Sequence, residues 1–150
     1  MYHLIYISNA HPLLNEYELR SMVEPCRQKN VGLDITGILF YSAGHFVQLL
    51  EGEQDIIESL YSRICLDNRH HNVRRLLSLP VEGRWFGAWS MALLNVDQRT
   101  TLEETCLVQL VREAEAAQRS HSHSALSRRL LQQFRDLIPS PQDAQRNIKS

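Results

Sequence analysis

The stretch Ile35-Thr36-Gly37-Ile38-Leu39-Phe40-Tyr41, Ser42-Ala43-Gly44-His45, Phe46-Val47-Gln48-Leu49-Leu50 decides the fold. Its outer runs are rich in β-branched and aromatic residues, which fit a pleated surface, and the four residues between them suit a tight turn. The segment reads as an antiparallel hairpin. Upstream, residues 2–8 around Leu4-Ile5-Tyr6-Ile7 read as a first strand closed by Asn9-Ala10-His11-Pro12. Between strand and hairpin, Asn15 can cap a helix whose Leu19, Met22, Val23 and Cys26 share one face. Pro25 lies inside that helix and removes a backbone donor, which predicts a kink or tightening before Asn30.

Past Gly52, Ile56, Ile57, Leu60 and Ile64 repeat at helical spacing and predict a second helix ending near Asp67-Asn68. Val73–Val81 and Trp85–Val96 read as two further strands with a turn at Glu82-Gly83-Arg84. The order β-α-β-β-α-β-β predicts an α+β fold: a ferredoxin-like five-stranded mixed sheet with two helices on one face. Thr101 with Glu104 opens a third helix over Leu107, Leu110, Val111 and Ala114, and Leu126, Leu130, Phe134 and Leu137 mark a fourth before Pro139. This C-terminal helical hairpin is expected on or near the other sheet face. The expected division is residues 1–98 as the sheet domain, 99–139 as the hairpin packed on it, and 140–150 as a polar tail.

Composition bounds the function. The chain has 150 residues, is 43% hydrophobic and 22% charged, and sets 16 basic against 17 acidic residues for a net charge of −1. That balance supports a folded core and offers no field for phosphate backbones or anionic membranes, so neither nucleic acid nor membrane is an expected partner. Three scattered cysteines fit a reducing compartment, and the N-terminal residues lack a signal-peptide pattern, so the expected location is cytoplasmic.

Gln48 is the residue most out of place, because an amide in a central strand must find hydrogen-bond partners. It is either a structural glutamine or the contact of a buried ligand edge. Tyr6 reaches it if the first strand neighbours the hairpin, and is otherwise a core aromatic. Asn30 is either a helix terminator or an amide facing a ligand. Arg63, Asp67, Arg69 and His70 form a charged cluster at the end of the second helix, read as a solvated face or as an anion or sugar contact. The paired histidines 70–71 and 121/123 lack metal-ligand spacing, and there is no phosphate loop, dinucleotide fingerprint or nucleophile elbow.

Leu4-Ile5-Tyr6-Ile7-Ser8, Asn30 before Ile35–Tyr41, Phe46-Val47-Gln48-Leu49-Leu50-Glu51-Gly52, Arg63-Ile64, Asp67-Asn68-Arg69-His70-His71 and Trp89-Ser90-Met91 together resemble the BLUF family of flavin-binding blue-light sensors, over roughly residues 2–96. The resemblance implies FAD as cofactor, with FMN or riboflavin as alternatives. It implies that Tyr6, Asn30 and Gln48 are the polar contacts of the flavin ring and that Met22 and Ile64 flank its faces. Arg63, Asp67 and His70 fall where ribityl or phosphate contacts belong.

It further implies a photoreceptor rather than an enzyme. Tyr6 gives an electron and a proton, Gln48 rotates or tautomerises, and the flavin emerges with altered hydrogen bonds and red-shifted absorption. Trp89 and Met91, on one side of the last strand by alternation, are the candidates for carrying the change onward, against the alternative of ordinary core packing. With no cyclase, phosphodiesterase or DNA-binding module following, the chain is similar to stand-alone members, for which a homo-oligomer or a separate downstream signalling protein is expected. A light-independent ferredoxin-like regulatory module binding a small metabolite is the alternative. A hydrolase placing Asn30 with Arg20 or Arg27 on a phosphate lacks a nucleophile and base.

Overall fold

The β1 strand, Tyr2–Ala10, runs between two antiparallel partners and sets the frame for the rest of the chain. A computed structural model describes residues 1–10, 14–42, 44–84, 87 and 90–95. Expectations that fall on Trp85, Trp89 or residues 96–150, including both C-terminal helices, lie outside the described residues.

Helix α1 spans Glu16–Gly32 and starts where the sequence says it should. The Asn15 side chain accepts from Glu18 N at 2.8 Å and the Glu18 carboxylate accepts from Asn15 N at 2.9 Å, a reciprocal capping box. Pro25 does not end the helix, which runs on to Gly32. Proline cannot serve the carbonyl of Ser21, but Ser21 lies on an exposed turn where water can.

The hairpin follows as β2, Thr36–Ser42, and β3, His45–Gly52. Gly37 has a steric reason to be glycine: a Cβ there would sit 2.1 Å from the Leu49 carbonyl oxygen. Helix α2 covers Gln54–Cys65, β4 runs His70–Pro80, and β5 is the short segment Ala92–Asn95.

Strands lie in the order β4-β1-β3-β2-β5, antiparallel throughout except for the parallel β2–β5 pair. The crossover from β1 through α1 to β2 leaves β3 inserted between two strands of the same direction, the split arrangement of a ferredoxin-like fold. Within Met1–Asn95 one core packs Tyr2, Leu4 and Tyr6 of β1, Leu39 of β2, and Phe46 and Leu50 of β3 against Leu19 and Val23 of α1 and Ile57 of α2. Alternation puts these strand residues on a single face, so both helices cover the same side of the sheet. Ile5, Ile7, Ile38, Phe40, Val47 and Leu49 point to the opposite side and are also buried.

That second side carries a polar chain across three strands. His3 and Glu51, both fully buried, meet at 2.7 Å. Thr36 Oγ1 donates to Glu51 Oε1 at 2.9 Å, and Arg84 reaches Thr36 Oγ1 at 2.9 Å and the Asp34 carboxylate at 2.8 Å. Arg84 thereby fastens the turn after β4 to the β2–β3 hairpin.

Candidate functional site

Cross-strand register builds the site. Gln48 of β3 lies directly opposite Tyr6 of β1 and Leu39 of β2, so tyrosine and amide project side by side from the helix-covered face. Tyr6 is 1% exposed, and its hydroxyl donates to Gln48 Oε1. The other end of the amide, Gln48 Nε2, donates to Met91 Sδ at 3.1 Å. A thioether is a weak acceptor, so this end of the amide is held less firmly than the end facing Tyr6. Burial pushes the Tyr6 phenol well above its ordinary range, which keeps the hydroxyl a donor throughout the physiological range.

These three residues form the floor of an open cleft between the facing sides of α1 and α2. Its apolar lining comes from Met22, Val23 and Leu33 on one side and Leu60 and Ile64 on the other. Asn30, 4% exposed, also lines it and donates from Nδ2 to the Ser90 carbonyl at 2.7 Å. The bland alternative for Asn30 therefore fails: it sits inside the helix, which ends at Gly32, and ties α1 to the segment before β5.

The charged cluster lines the same cleft through Arg63, Asp67, Arg69 and His70. Arg69 binds both Asp67 oxygens, with Nη2 to Oδ2 at 2.6 Å, and its backbone N–H reaches Oδ1 at 2.9 Å. These bonds hold the Asp67 carboxyl down at about 2. His70 behaves differently. Its Nδ1 lies 3.0 Å from Ser8 Oγ, its ring meets the edges of Phe46 and Tyr6 at centroid distances of 5.7 and 6.3 Å, and burial lowers its pKa.

The structure thus gathers Tyr6, Met22, Asn30, Gln48, Arg63, Ile64, Asp67, His70 and Met91 around one cleft, while Trp89 lies outside the described residues. Sequence reasoning did not single out Cys26, Lys29 and Phe46 as lining residues. Cys26 and Lys29 had a usable signal, since they lie four and seven positions after Met22 and so share its helix face. Tyr61 was also missed: its ring is 5.7 Å from that of Tyr6, with the Arg75 guanidinium over it at 4.8 Å and Arg75 clamped by Glu58 at 2.6 and 2.8 Å.

Residues 1–92 match the family model BLUF, sensors of blue light using FAD, and the chain belongs to that family. It is 36% identical over 93 residues to the blue light- and temperature-regulated antirepressor BluF of Escherichia coli, a match covering 62% of this chain and 23% of that protein. Among solved structures it is similar to BlsA in its ground state, with a TM-score of 0.63, 32% identity and coverage of 73% of this chain and 72% of that one. A bacterial light-regulated adenylyl cyclase superposes with a TM-score of 0.67 and 29% identity, over 79% of this chain and 34% of the cyclase. The chain spans less than a quarter of the antirepressor it matches.

The family's cofactor is FAD. The cleft fits a flavin on its own chemistry: apolar side chains on two sides suit the faces of a flat ring, an amide pair and a phenol supply the few polar groups, and cationic side chains lie at exposed positions. Among the described residues no helix is long and apolar enough to cross a membrane, and none form a metal-binding group.

Proposed function

We propose that the chain is a blue-light photoreceptor in which Tyr6, Gln48 and Met91 convert flavin excitation into a change of hydrogen bonding. The observation that carries this reading is the buried relay from the Tyr6 hydroxyl through the Gln48 amide to Met91 Sδ on the cleft floor. Asn30 and Gln48 address the polar edge of the flavin ring, Met22 and Ile64 flank its faces, and Arg63 serves the ribityl or phosphate end. Asp67 acts mainly by holding Arg69, because its carboxylate is already engaged. His70 packs against the Tyr6 ring and is tethered to Ser8, which makes it a neighbour of the photochemical residues as well as a cofactor contact.

Blue light makes bound flavin a strong oxidant that recovers its starting oxidation state when the charge recombines. Tyr6 supplies an electron and its phenolic proton through the Gln48 contact and regains both after the amide has rotated or tautomerised. Reversing the amide exchanges a donor for an acceptor at each end, so a bond to the flavin carbonyl strengthens and absorption moves to the red. The same reversal presents an acceptor to Met91 Sδ, and the loss of that contact starts the signal in the segment leading to β5.

Signalling then runs through β5, with Trp89 as a second participant, to the chain that follows it and to a homo-oligomer or a separate cytoplasmic signalling protein. The unit itself senses rather than catalyses. Tyr6→Phe and Gln48→Leu test the relay: both variants should bind flavin yet lose the reversible red shift. Normal photoconversion in either variant contradicts the assigned roles.

A further inference from the structure

Met91 is held at three points, and only one of them is its side chain. Gln48 Nε2 holds the sulfur, Asn30 Nδ2 holds the preceding carbonyl on Ser90, and Arg27 Nε donates to the Met91 carbonyl at 2.7 Å. Arg27 does not line the cleft and lies one turn before Asn30 on α1. Its second partner differs in kind: Arg27 Nη1 donates to Glu24 Oε2 at 3.1 Å, on the exposed side of the same helix.

Arg27 holds both partners at once, through different nitrogens. Releasing a buried cation from its acceptor is costly when nothing replaces it, but Arg27 is partly exposed and keeps the Glu24 carboxylate and water when the carbonyl leaves. A charge-assisted bond to a backbone carbonyl is also stronger than the amide–thioether contact beside it. Turning Gln48 alone therefore frees the Met91 side chain, while the Met91 backbone stays in place until Arg27 lets go.

We propose that Arg27 is the latch of β5: it holds the Met91 carbonyl in the dark state and is left with Glu24 alone in the lit state. Release of this bond lets the change at Gln48 leave the cleft along the backbone. Arg27 is a positioning residue, since it acts through the Met91 backbone and does not touch the flavin site. The inference rests on the Gln48 reading of the photocycle.

Amide hydrogen exchange of residues 90–95 in darkness and under blue light, measured on full-length flavin-loaded protein alongside the rate of dark recovery, tests the latch. In the wild type, exchange in this segment rises on illumination. In Arg27→Met the dark exchange rises to the lit level, the red shift persists, and recovery slows about tenfold or more, the scale of one charge-assisted hydrogen bond. Glu24→Ala acts in the opposite direction, because it removes the one bond of the two that Arg27 retains after letting go of the carbonyl: recovery quickens and the light-induced rise shrinks.

If Arg27→Met does not fold, Arg27→Lys keeps the charge and the pairing with Glu24 but not the guanidinium fork, and it should also slow recovery. Wild-type exchange and recovery in the Arg27 variant overturn the latch, as do wild-type values or slowed recovery in Glu24→Ala, or unchanged exchange at 90–95 in an illuminated wild type that does show the red shift. A wild type with no red shift, or a Gln48→Leu variant that retains it, instead sinks the photocycle reading and the latch with it.

Discussion

At the scale of single residues, the site depends on where protons sit. The Tyr6 phenol is pushed up by burial and stays protonated, so the proposed oxidation of Tyr6 has to release a proton, and among the described residues its hydroxyl donates to the Gln48 amide. His70 beside it is kept neutral by burial, which gives stability a pH dependence of definite sign. Because its folded pKa lies below the unfolded value of about 6.5, the unfolded chain takes up the proton first as pH falls. The His70 contribution is present above that value and is lost as pH drops toward the folded pKa. Thermal melts should show the wild type losing stability between about pH 7 and pH 5 more steeply than His70→Asn; equal slopes contradict this. Asp67 follows the same rule lower down: held at about 2 by Arg69, its contribution disappears as pH falls from about 4.

At the scale of elements, α1 and the β2–β3 hairpin carry most of the geometry. Asn15→Ala removes the side-chain acceptor of the capping box and should destabilise the domain by about 1 kcal/mol in denaturant melts. Gly37→Ala should cost more, about 2–3 kcal/mol, because its methyl group collides with the Leu49 backbone in the centre of the sheet; wild-type stability would contradict that close approach. The capping box, the hairpin and the apolar face of α2 were legible in the sequence because they are local patterns. Less was legible at strand ends. β1 extends to Ala10, whose amide donates to the Gly44 carbonyl at 2.7 Å, and β4 begins at His70, whose polar side chain reads as loop until Ser8 and Phe46 surround it.

The candidate site divides the same way. Tyr6 beside Gln48 could be anticipated from strand order alone, since the fold puts the first strand against the hairpin. The bonds from Arg27 and Asn30 to the 90–91 backbone could not, because they join residues sixty or more positions apart through carbonyls, which carry no signature in residue type. Pro25 lies within α1 without ending it for a physical reason: a helix with an exposed carbonyl to spare tolerates a missing donor, and α1 has one at Ser21.

At the scale of the whole molecule, the sheet of the Met1–Asn95 unit carries buried apolar residues on both faces and stitches the second face with the chain from His3 through Glu51 and Thr36 to Arg84. Its signal must pass from one short strand to whatever reads it, and self-association is one route. Light scattering of the dark protein should give a mass that is a multiple of 17.4 kDa, and a strictly monomeric species in both dark and light contradicts the oligomer. The central claim is tested most directly by an absorption spectrum of the purified protein in darkness, under blue light and after dark recovery. A yellow protein whose oxidised flavin bands shift reversibly to the red is the result the Tyr6–Gln48–Met91 relay predicts. A colourless protein that takes up no added FAD, or a flavin that bleaches without a shifted oxidised spectrum, contradicts it.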